Sequence, residues 1–195
     1  MVTVSDLTLG QLVRFPWDYR SVYGLDPDTM PVADAVRASM SIPFFFRPVT
    51  LTHATTKLAS TLVDGGLLSN FPIDSLDRTD GREPDWPTFG VTLLPNLPAG
   101  ADKVIPLLAL PLPGGLHLLE QVIATTLVGR DQGYLNQPWV SARTIRVDST
   151  QVGVLDFGIT PEETQALYRK GYQAAQAFLA TWEWPAYVQR FRRGI

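Results

Sequence analysis

The strongest constraint on the fold is the stretch STLVDGGLLSNFP, Ser60–Pro72, in which a short apolar run ends at a carboxylate followed by two glycines. A short apolar run bounded by glycines is typical of a buried β-strand. Asp64 then lies at the carboxyl end of this strand, and ligands bind outside such ends in open α/β sheets. Gly65 and Gly66 carry no side chain, so another segment or a substrate can come close.

Two interpretations of Asp64 stay open at this point. Asp-Gly is one of the commonest turn signals, so the aspartate could simply begin a turn. Alternatively, Asp64 is an active-site base. Burial against the apolar run would then raise the pKa of its carboxyl group, and nearby amide donors would lower it.

Helical and strand patterns alternate along the chain. We predict a helix over Met30–Ile42, whose apolar residues share one stripe and which Pro43 ends. A second buried strand is predicted over Thr88–Pro95. A third is predicted over Ala142–Asp148, where arginines alternate with apolar residues and favour one solvent-exposed face near a sheet edge. This alternation favours an α/β layered sheet.

Two further helices are predicted in the second half of the chain. One covers about Leu116–Arg130. The other begins at Thr160, which is a good N-cap, with Pro161 at the first helical position and Glu163 completing a capping box. Its apolar stripe comprises Leu167, Gly171, Ala174, Ala175, Phe178 and Trp182.

The length and the loops suit one domain. The 195 residues are enough for a sizeable core, and the chain shows no repeat or low-complexity tract. Two polar or turn-rich stretches, Arg78–Pro87 and Pro95–Lys103, are predicted surface loops. We therefore expect a single domain over residues 1–195.

Charge and residue types exclude several function classes. The formal net charge is −3, so the chain lacks the basic field that binds a phosphate backbone, and nucleic acid is not expected as a partner. The absence of cysteine excludes disulfides, thiol nucleophiles and zinc–thiolate sites. His53 and His117 lie far apart in sequence, so we expect no histidine-based metal site and no cofactor.

Membrane-spanning and secretory segments are not predicted. The most apolar stretch, Val104–Val128, is interrupted by prolines and a glycine pair. It falls short of the roughly 18 uninterrupted apolar residues of a spanning helix. The N-terminal stretch MVTVSDLTLGQLVRF lacks the basic and apolar regions of a signal peptide. We expect a cytoplasmic or peripheral membrane location.

Three stretches taken together, ADAVRASMSIPFFFRPVTL, LVDGGLLSNFPIDSL and TFGVTLL, resemble the second half of a patatin-like phospholipase domain. In that family an Ala-Ser-x-x-Ile-Pro run and aromatic residues precede a strand that delivers Asp-Gly-Gly, and Asn-x-Pro follows. The matching positions here are Ala38, Ser39, Ile42, Pro43, Phe44, Phe45, Phe46, Asp64, Gly65, Gly66, Asn70 and Pro72. Downstream stretches are also similar to bacterial members, so the resemblance covers most of the chain.

The resemblance implies a three-layer α/β/α fold with a mostly parallel central sheet. It also implies hydrolysis of phospholipids or other lipid esters by a Ser–Asp dyad. In that dyad the serine of a G-x-S-x-G elbow attacks the ester and Asp64 takes its proton, without a histidine. Residues 1–95 would then form the catalytic-core part with the Asp-Gly-Gly motif, and residues 96–195 the C-terminal helices and an edge strand.

Two aromatic stretches allow a lipid-binding and a structural interpretation. Phe44, Phe45 and Phe46 could line an acyl-chain pocket, because ligand sites are mostly apolar. Core packing of at least two of the three rings is the alternative, and we favour it. Thr181–Ile195 mixes aromatic residues with arginines, as segments at a lipid interface do. A helix end with a solvated basic tail is the alternative that we favour there.

The sequence departs from the family pattern at the nucleophile. None of its serines lies in G-x-S-x-G, and the glycine-rich oxyanion segment is also missing. We therefore expect an N-terminally incomplete domain, in which an upstream segment or a partner chain supplies the serine. Ser39 and Ser41 are the nearest substitutes, but without a tight elbow neither hydroxyl would reach a carbonyl. A catalytically inactive fragment, or a lipid-binding or interaction module, is the alternative.

Overall fold

The structure is a computed structural model that describes residues 1–94, 126, 131–152 and 158–192. The strands are β1 (Val2–Asp6), β2 (Gln11–Phe15), β3 (Val49–Thr52), β4 (Ala59–Asp64), β5 (Gly90–Leu94) and β6 (Thr144–Asp148). The α-helices are α1 (Tyr19–Tyr23), α2 (Val32–Ser39), α3 (Gln132–Leu135), α4 (Pro138–Ser141), α5 (Pro161–Leu179) and α6 (Trp184–Phe191). Of the helix predicted over Leu116–Arg130, only Thr126 is described, and it is helical. The loop predicted over Pro95–Lys103 lies entirely outside the described residues.

The described residues form two compact units, and each unit contains both strands and helices. The first is built mainly from Met1–Asn70, and the second from most of the described residues that follow. The chain is therefore a mixed α/β protein, as predicted. In the described parts of the chain, no helix combines the length and the apolarity that crossing a bilayer requires.

A four-stranded sheet in the order β2–β1–β4–β3 forms the centre of the first unit. Every neighbouring pair is antiparallel, and Val4 of β1 lies opposite Val13 of β2 on one side and Asp64 of β4 on the other. This sheet differs from the predicted mostly parallel one. The reason is that β1 and β2, and likewise β3 and β4, are joined by short connections, which can link only antiparallel strands.

The predicted buried strand before Asp64 is confirmed as β4. Ser60, Leu62 and Val63 of this strand are almost completely buried. Leu62 belongs to a core that also includes Val4, Val13, Phe15, Tyr19, Tyr23 and Ala38. These residues come from β1, β2, α1 and α2, so the core of the first unit lies between its sheet and its two helices.

The predicted helix over Met30–Ile42 is present in shorter form as α2. Asp34 lies in its first turn, where a carboxylate suits the helix dipole. The buried side of the helix is centred on Ala38, whereas Val32 and Val36 of the predicted apolar stripe are exposed. The sequence pattern identified the helix but not which of its faces is covered.

A parallel pair of strands, β5 and β6, organises the second unit. The strand predicted over Thr88–Pro95 is β5, but Val91 and Leu93 are exposed, so the prediction that it is buried was wrong. The strand predicted over Ala142–Asp148 is β6, which is the more buried of the two because α5 packs on it. The loop predicted over Arg78–Pro87 contains no helix or strand.

The N-terminus of α5 confirms the predicted capping box. The Thr160 hydroxyl accepts from the Glu163 amide at 3.2 Å, and the Glu163 carboxylate accepts from the Thr160 amide at 2.8 Å. The predicted apolar stripe of α5 is half-buried along its whole length, as the packing of this helix on β6 requires. Lys170 on the same helix pairs with Asp148 at the end of β6, at 3.0 Å.

Candidate active site

Asp64 ends β4 and at the same time begins a turn of 3-10 helix, Gly65–Leu67. Its carboxylate Oδ1 accepts a hydrogen bond from the Gly66 amide at 2.7 Å. Its own amide donates to the carbonyl oxygen of Ser41 at 3.0 Å. The turn interpretation of the sequence is therefore correct. The turn also holds the half-buried carboxylate beside the segment that follows α2. This position does not conflict with the catalytic interpretation, since one residue can serve both purposes.

Gly65 is required here because the backbone of β1 approaches it closely. A Cβ atom at this position would lie 2.4 Å from the carbonyl oxygen of Thr3 and from its hydroxyl oxygen. Such contacts are impossible, so any side chain would push β1 away from the turn. The Ser5 hydroxyl also donates to the Gly65 carbonyl at 3.4 Å. The first glycine of the motif thus fixes the place of Asp64 against the central strand.

The environment of Asp64 changes its basicity. Burial raises the pKa of its carboxyl group above the usual value, and the hydrogen bond from the Gly66 amide offsets part of that rise. A carboxylate with a raised pKa accepts a proton more readily than an ordinary aspartate. The direction of this shift is the one that the general-base interpretation of Asp64 requires.

Ser39 and Ser41, the two serines considered as substitutes for the nucleophile, do not donate their hydroxyls to the Asp64 carboxylate. The Ser41 hydroxyl is buried and donates to the carbonyl oxygen of Arg37 at 2.7 Å. Ser39 is the last residue of α2 and is half-buried. Among the residues that the structure describes, no serine hydroxyl donates to the Asp64 carboxylate. That neither serine substitutes for the missing nucleophile stays a prediction.

His53 has a structural place in the first unit. Its Nε2 lies 2.9 Å from the Ser60 hydroxyl, and its ring packs edge-on against Tyr23 with the ring centroids 4.9 Å apart. Tyr23 in turn donates to Asp6 at 2.9 Å. All four side chains are buried, so they form a polar cluster within the core. His117 lies outside the described residues.

The three aromatic residues after α2 lie beside the site rather than in the core. Phe44 is 57% exposed, Phe46 is 40% exposed and Phe45 is half-buried, so the preference for core packing of two rings was wrong. Phe44 also has a φ of 71°, which is unusual for a residue with a bulky side chain. The chain turns here, and the amides of Phe45 and Phe46 both donate to the carbonyl oxygen of Ile42.

A shallow cleft of about 160 Å³ opens at the end of α2. Its walls are mostly apolar and include Met40 and Phe46, with Arg37 and Arg47 also lining it. Ser41 forms part of the wall, and its carbonyl oxygen is the acceptor for the Asp64 amide. Neither arginine forms an ion pair with a residue that the structure describes. Ser41 therefore connects Asp64 to an apolar cleft that is lined by two arginines without an ion-pair partner in the described part of the chain.

The aromatic residues near the C-terminus lie on and beside helix α6 and pack on one another. Trp184 and Tyr187 stack with an interplanar angle of 12° and a centroid separation of 6.0 Å. Tyr187 and Val188 are buried, and the Tyr187 hydroxyl donates to the carbonyl oxygen of Trp139. In the basic tail Arg190 is exposed, but Arg192 pairs with Asp77 at 2.7 Å, so the prediction of a solvated tail was wrong for Arg192.

One group of charged residues in the second unit was not predicted from the sequence. The Asp77 carboxylate accepts two hydrogen bonds from Arg143, the longer at 2.7 Å. It also pairs with Arg192 at 2.7 Å. Burial alone would raise the pKa of Asp77, but the hydrogen bonds from the two arginines outweigh burial and lower it. The sequence feature that could have indicated this charged group is Arg143, an arginine directly before the largely buried strand β6.

Comparison with known proteins supports the sequence resemblance. The family model described as patatin-like phospholipase matches residues 3–77, a segment that includes α2, β4 and Asp64. The uncharacterized protein YqhO of Bacillus subtilis is 34% identical over 178 residues, which is 91% of this chain and 56% of that protein. An uncharacterized NTE family protein of Mycobacterium bovis is 34% identical over 166 residues, covering 76% of this chain and 25% of that protein.

The matched relatives are longer proteins. The chain spans about half the length of the Bacillus protein and a quarter of the mycobacterial one. No solved structure matches the chain. The family match includes both the Asp-Gly-Gly turn and the helix that precedes it, which are the two parts that form the site around Asp64. The match over residues 3–77 and these relatives together support a patatin-like family for this chain.

Proposed function

We propose that this chain contributes the general base, Asp64, to a lipid acyl hydrolase that cleaves carboxylic esters of phospholipids or other lipids. The observation that carries the proposal is the half-buried Asp64 carboxylate, held at a strand end by the Gly66 amide within a patatin-like segment. The family is named for phospholipase activity, and that activity is the starting point for this chain.

The proposed mechanism needs one proton transfer at Asp64. A serine hydroxyl attacks the ester carbonyl carbon, and its proton passes to the Asp64 carboxylate as the new C–O bond forms. The tetrahedral intermediate collapses with release of the alcohol, which takes the proton from Asp64, and water then hydrolyses the acyl-enzyme. The raised pKa of Asp64 favours the first transfer, since its carboxylate is a stronger base than an exposed one.

The serine of this mechanism is proposed to come from outside these 195 residues. The sequence contains no G-x-S-x-G, and the Ser41 hydroxyl is engaged with the Arg37 carbonyl. An upstream segment or a separate partner chain would therefore complete the Ser–Asp dyad. The full extent of the relatives is consistent with such an additional segment, because each is much longer than this chain.

The surface beside Asp64 supports a lipid substrate. The apolar cleft at the end of α2 and the exposed rings of Phe44 and Phe46 offer surface against which an acyl chain could lie. Phe45, between them, is half-buried and could support these rings. The same exposed rings would also allow transient contact with a membrane surface, because aromatic side chains partition into the interface.

Labelling with a fluorophosphonate probe tests where the nucleophile lies. We expect the purified 195-residue chain to remain unlabelled and to leave short p-nitrophenyl esters intact, because no serine in it is presented as a nucleophile. A known serine hydrolase, treated in parallel, provides the positive control. Stoichiometric labelling of a serine within this chain would overturn the proposal that the nucleophile comes from elsewhere.

A second candidate function is a lipid-binding or interaction module without catalysis. The exposed apolar residues at the end of α2, Met40, Phe44 and Phe46, favour it specifically. Sedimentation with phospholipid vesicles separates the two candidates when it is combined with an activity assay of the protein as it is made in its own cells. Vesicle binding without any ester hydrolysis would favour the module, and hydrolysis that depends on Asp64 would favour the enzyme.

A further inference from the structure

We propose that a cleft in the second unit binds a small anionic molecule made of one flat ring and a phosphate or carboxylate group. The cleft has a volume of about 220 Å³ and is formed by the loop before β5, Arg143 and helix α6 with the residue that follows it. It contains none of the residues of the candidate active site, so the proposal does not depend on ester hydrolysis.

The charged residues of the cleft leave an excess of positive charge. Three arginines, Arg78, Arg143 and Arg192, line it together with two aspartates, Asp77 and Asp85. A single carboxylate, Asp77, is shared between Arg143 and Arg192. Arg78 pairs with Asp85 and with Asp80, and Asp80 also pairs with Arg82, so those four charges balance. Among the described residues, one positive charge of the Arg143–Arg192 pair is therefore not balanced, and an anion bound in the cleft would balance it.

The burial of the two shared arginines strengthens this argument. The Arg143 side chain is only 2% exposed and that of Arg192 is 19% exposed. The Nε atoms of both are buried and have no hydrogen-bond partner among the described residues. Solvent therefore screens the extra charge poorly, and its electrostatic field acts on whatever enters the cleft. Arg192, the more exposed of the two, is the group that can reach a bound anion directly.

Aromatic side chains define the other part of the ligand. Trp86, Trp184 and Tyr187 line the same cleft, and the last two form a stacked pair. Trp86 is 82% exposed, which is unusual for so large an apolar side chain. Aromatic walls could also attract a cation, but the three arginines repel one. A flat ring that carries a negative group would pack against the aromatic side chains and pair with the arginines.

The size of the cleft limits the ligand to a single ring. Its volume lies below the range of roughly 300–1,000 Å³ that is typical of sites for drug-sized molecules. A one-ring aryl phosphate or aryl carboxylate fits this limit. A dinucleotide or a folded partner does not.

Calorimetric titration of the full 195-residue chain with phenyl phosphate tests the proposal. Benzoate, phenol and inorganic phosphate serve as comparison ligands. We expect phenyl phosphate or benzoate to bind with one-to-one stoichiometry, and phenol and inorganic phosphate each to bind at least about tenfold more weakly, since each lacks one of the two features.

Two variants and their controls locate the binding. Arg192→Gln should weaken binding about tenfold, because a charge-assisted contact is lost. Trp86→Ala should weaken it about threefold to tenfold, and this exposed position leaves the fold intact. Arg169→Gln and Trp17→Ala are the matched controls, since neither residue lines the cleft and both are exposed. Circular dichroism confirms that each variant is folded.

The outcomes separate clearly. Binding that Arg192→Gln and Trp86→Ala weaken, and that the controls leave unchanged, supports the proposal. Three results would overturn it: no binding of either aryl anion at millimolar concentration, equal binding of phenol, or equal weakening by the control variants.

Discussion

At the scale of single residues, partial burial of the Asp64 carboxylate affects the stability of the fold. Burial disfavours its charged form and raises the pKa of its carboxyl group, while the Gly66 amide offsets part of that effect. The folded chain therefore holds the proton more tightly than the unfolded chain. Ionisation of Asp64 consequently lowers the stability of the fold, and the loss develops as pH rises from the ordinary aspartate pKa through the raised one.

Replacing Asp64 with asparagine should therefore stabilise the fold at neutral pH. The asparagine amide cannot ionise, but its oxygen can still accept from the Gly66 amide. We expect Asp64→Asn to unfold at a higher temperature than the wild type at pH 7, and the difference to disappear below about pH 3, where the aspartate is neutral. Asp28→Asn, at an exposed aspartate, is the control. A lower melting temperature at pH 7 would show that the charged carboxylate stabilises the turn.

Gly65 is the residue of the motif whose identity the structure explains most directly. An alanine Cβ at this position would lie 2.4 Å from the Thr3 carbonyl oxygen, so β1 and the turn would have to separate. We expect Gly65→Ala to lower the free energy of unfolding by about 1–3 kcal/mol, measured by urea denaturation. Gly133→Ala in α3, where a Cβ would meet nothing within 4 Å, should leave stability unchanged or slightly higher. Equal effects of the two substitutions would contradict the close approach.

At the scale of elements, local sequence signals identified what local interactions determine. The capping residues Thr160, Pro161 and Glu163 predicted the start of α5, and the structure has all three in those roles. β4 was likewise predicted from its own apolar run. Pairing partners were not predictable in this way. Strand β1 pairs with β4 across roughly sixty positions, and nothing in β4 alone distinguishes an antiparallel neighbour from a parallel one.

The capping box of α5 offers a test at this scale. The Thr160 hydroxyl accepts from the Glu163 amide, which otherwise has no partner within the helix. We expect Thr160→Ala to lower the free energy of unfolding by about 1 kcal/mol. Thr160→Ser, which keeps the hydroxyl, should behave like the wild type. A loss that is the same for both variants would mean that packing of the methyl group, and not the cap, stabilises the helix end.

At the scale of the whole molecule, the sequence predicted the candidate base but not its surroundings. Asp64 was identifiable because the apolar run and the glycines adjoin it in the chain. Its contact with Ser41 and the approach of Thr3 bring together distant parts of the chain, and no short pattern encodes them. The exposure of Phe44 and Phe46 was mispredicted for a related reason. An aromatic run has the same composition at a surface as in a core, and only the tertiary structure separates the two.

The central claim is that Asp64 serves as the base for a serine that these 195 residues do not contain. Its consequence for the whole molecule is that activity depends on an assembly. Within that assembly Asp64→Asn removes the proton acceptor but preserves the shape of the turn. The loss should therefore appear in catalysis and not in folding.

The most direct measurement is ester hydrolysis by the protein purified, through a tag, as it is made in its own cells. We predict that the wild type hydrolyses p-nitrophenyl esters and carries a G-x-S-x-G serine that a fluorophosphonate labels. We predict that Asp64→Asn lowers the rate by about 10²–10⁴-fold, with an unchanged circular dichroism spectrum. Full activity of Asp64→Asn, or a folded wild type that hydrolyses no ester, would contradict the claim.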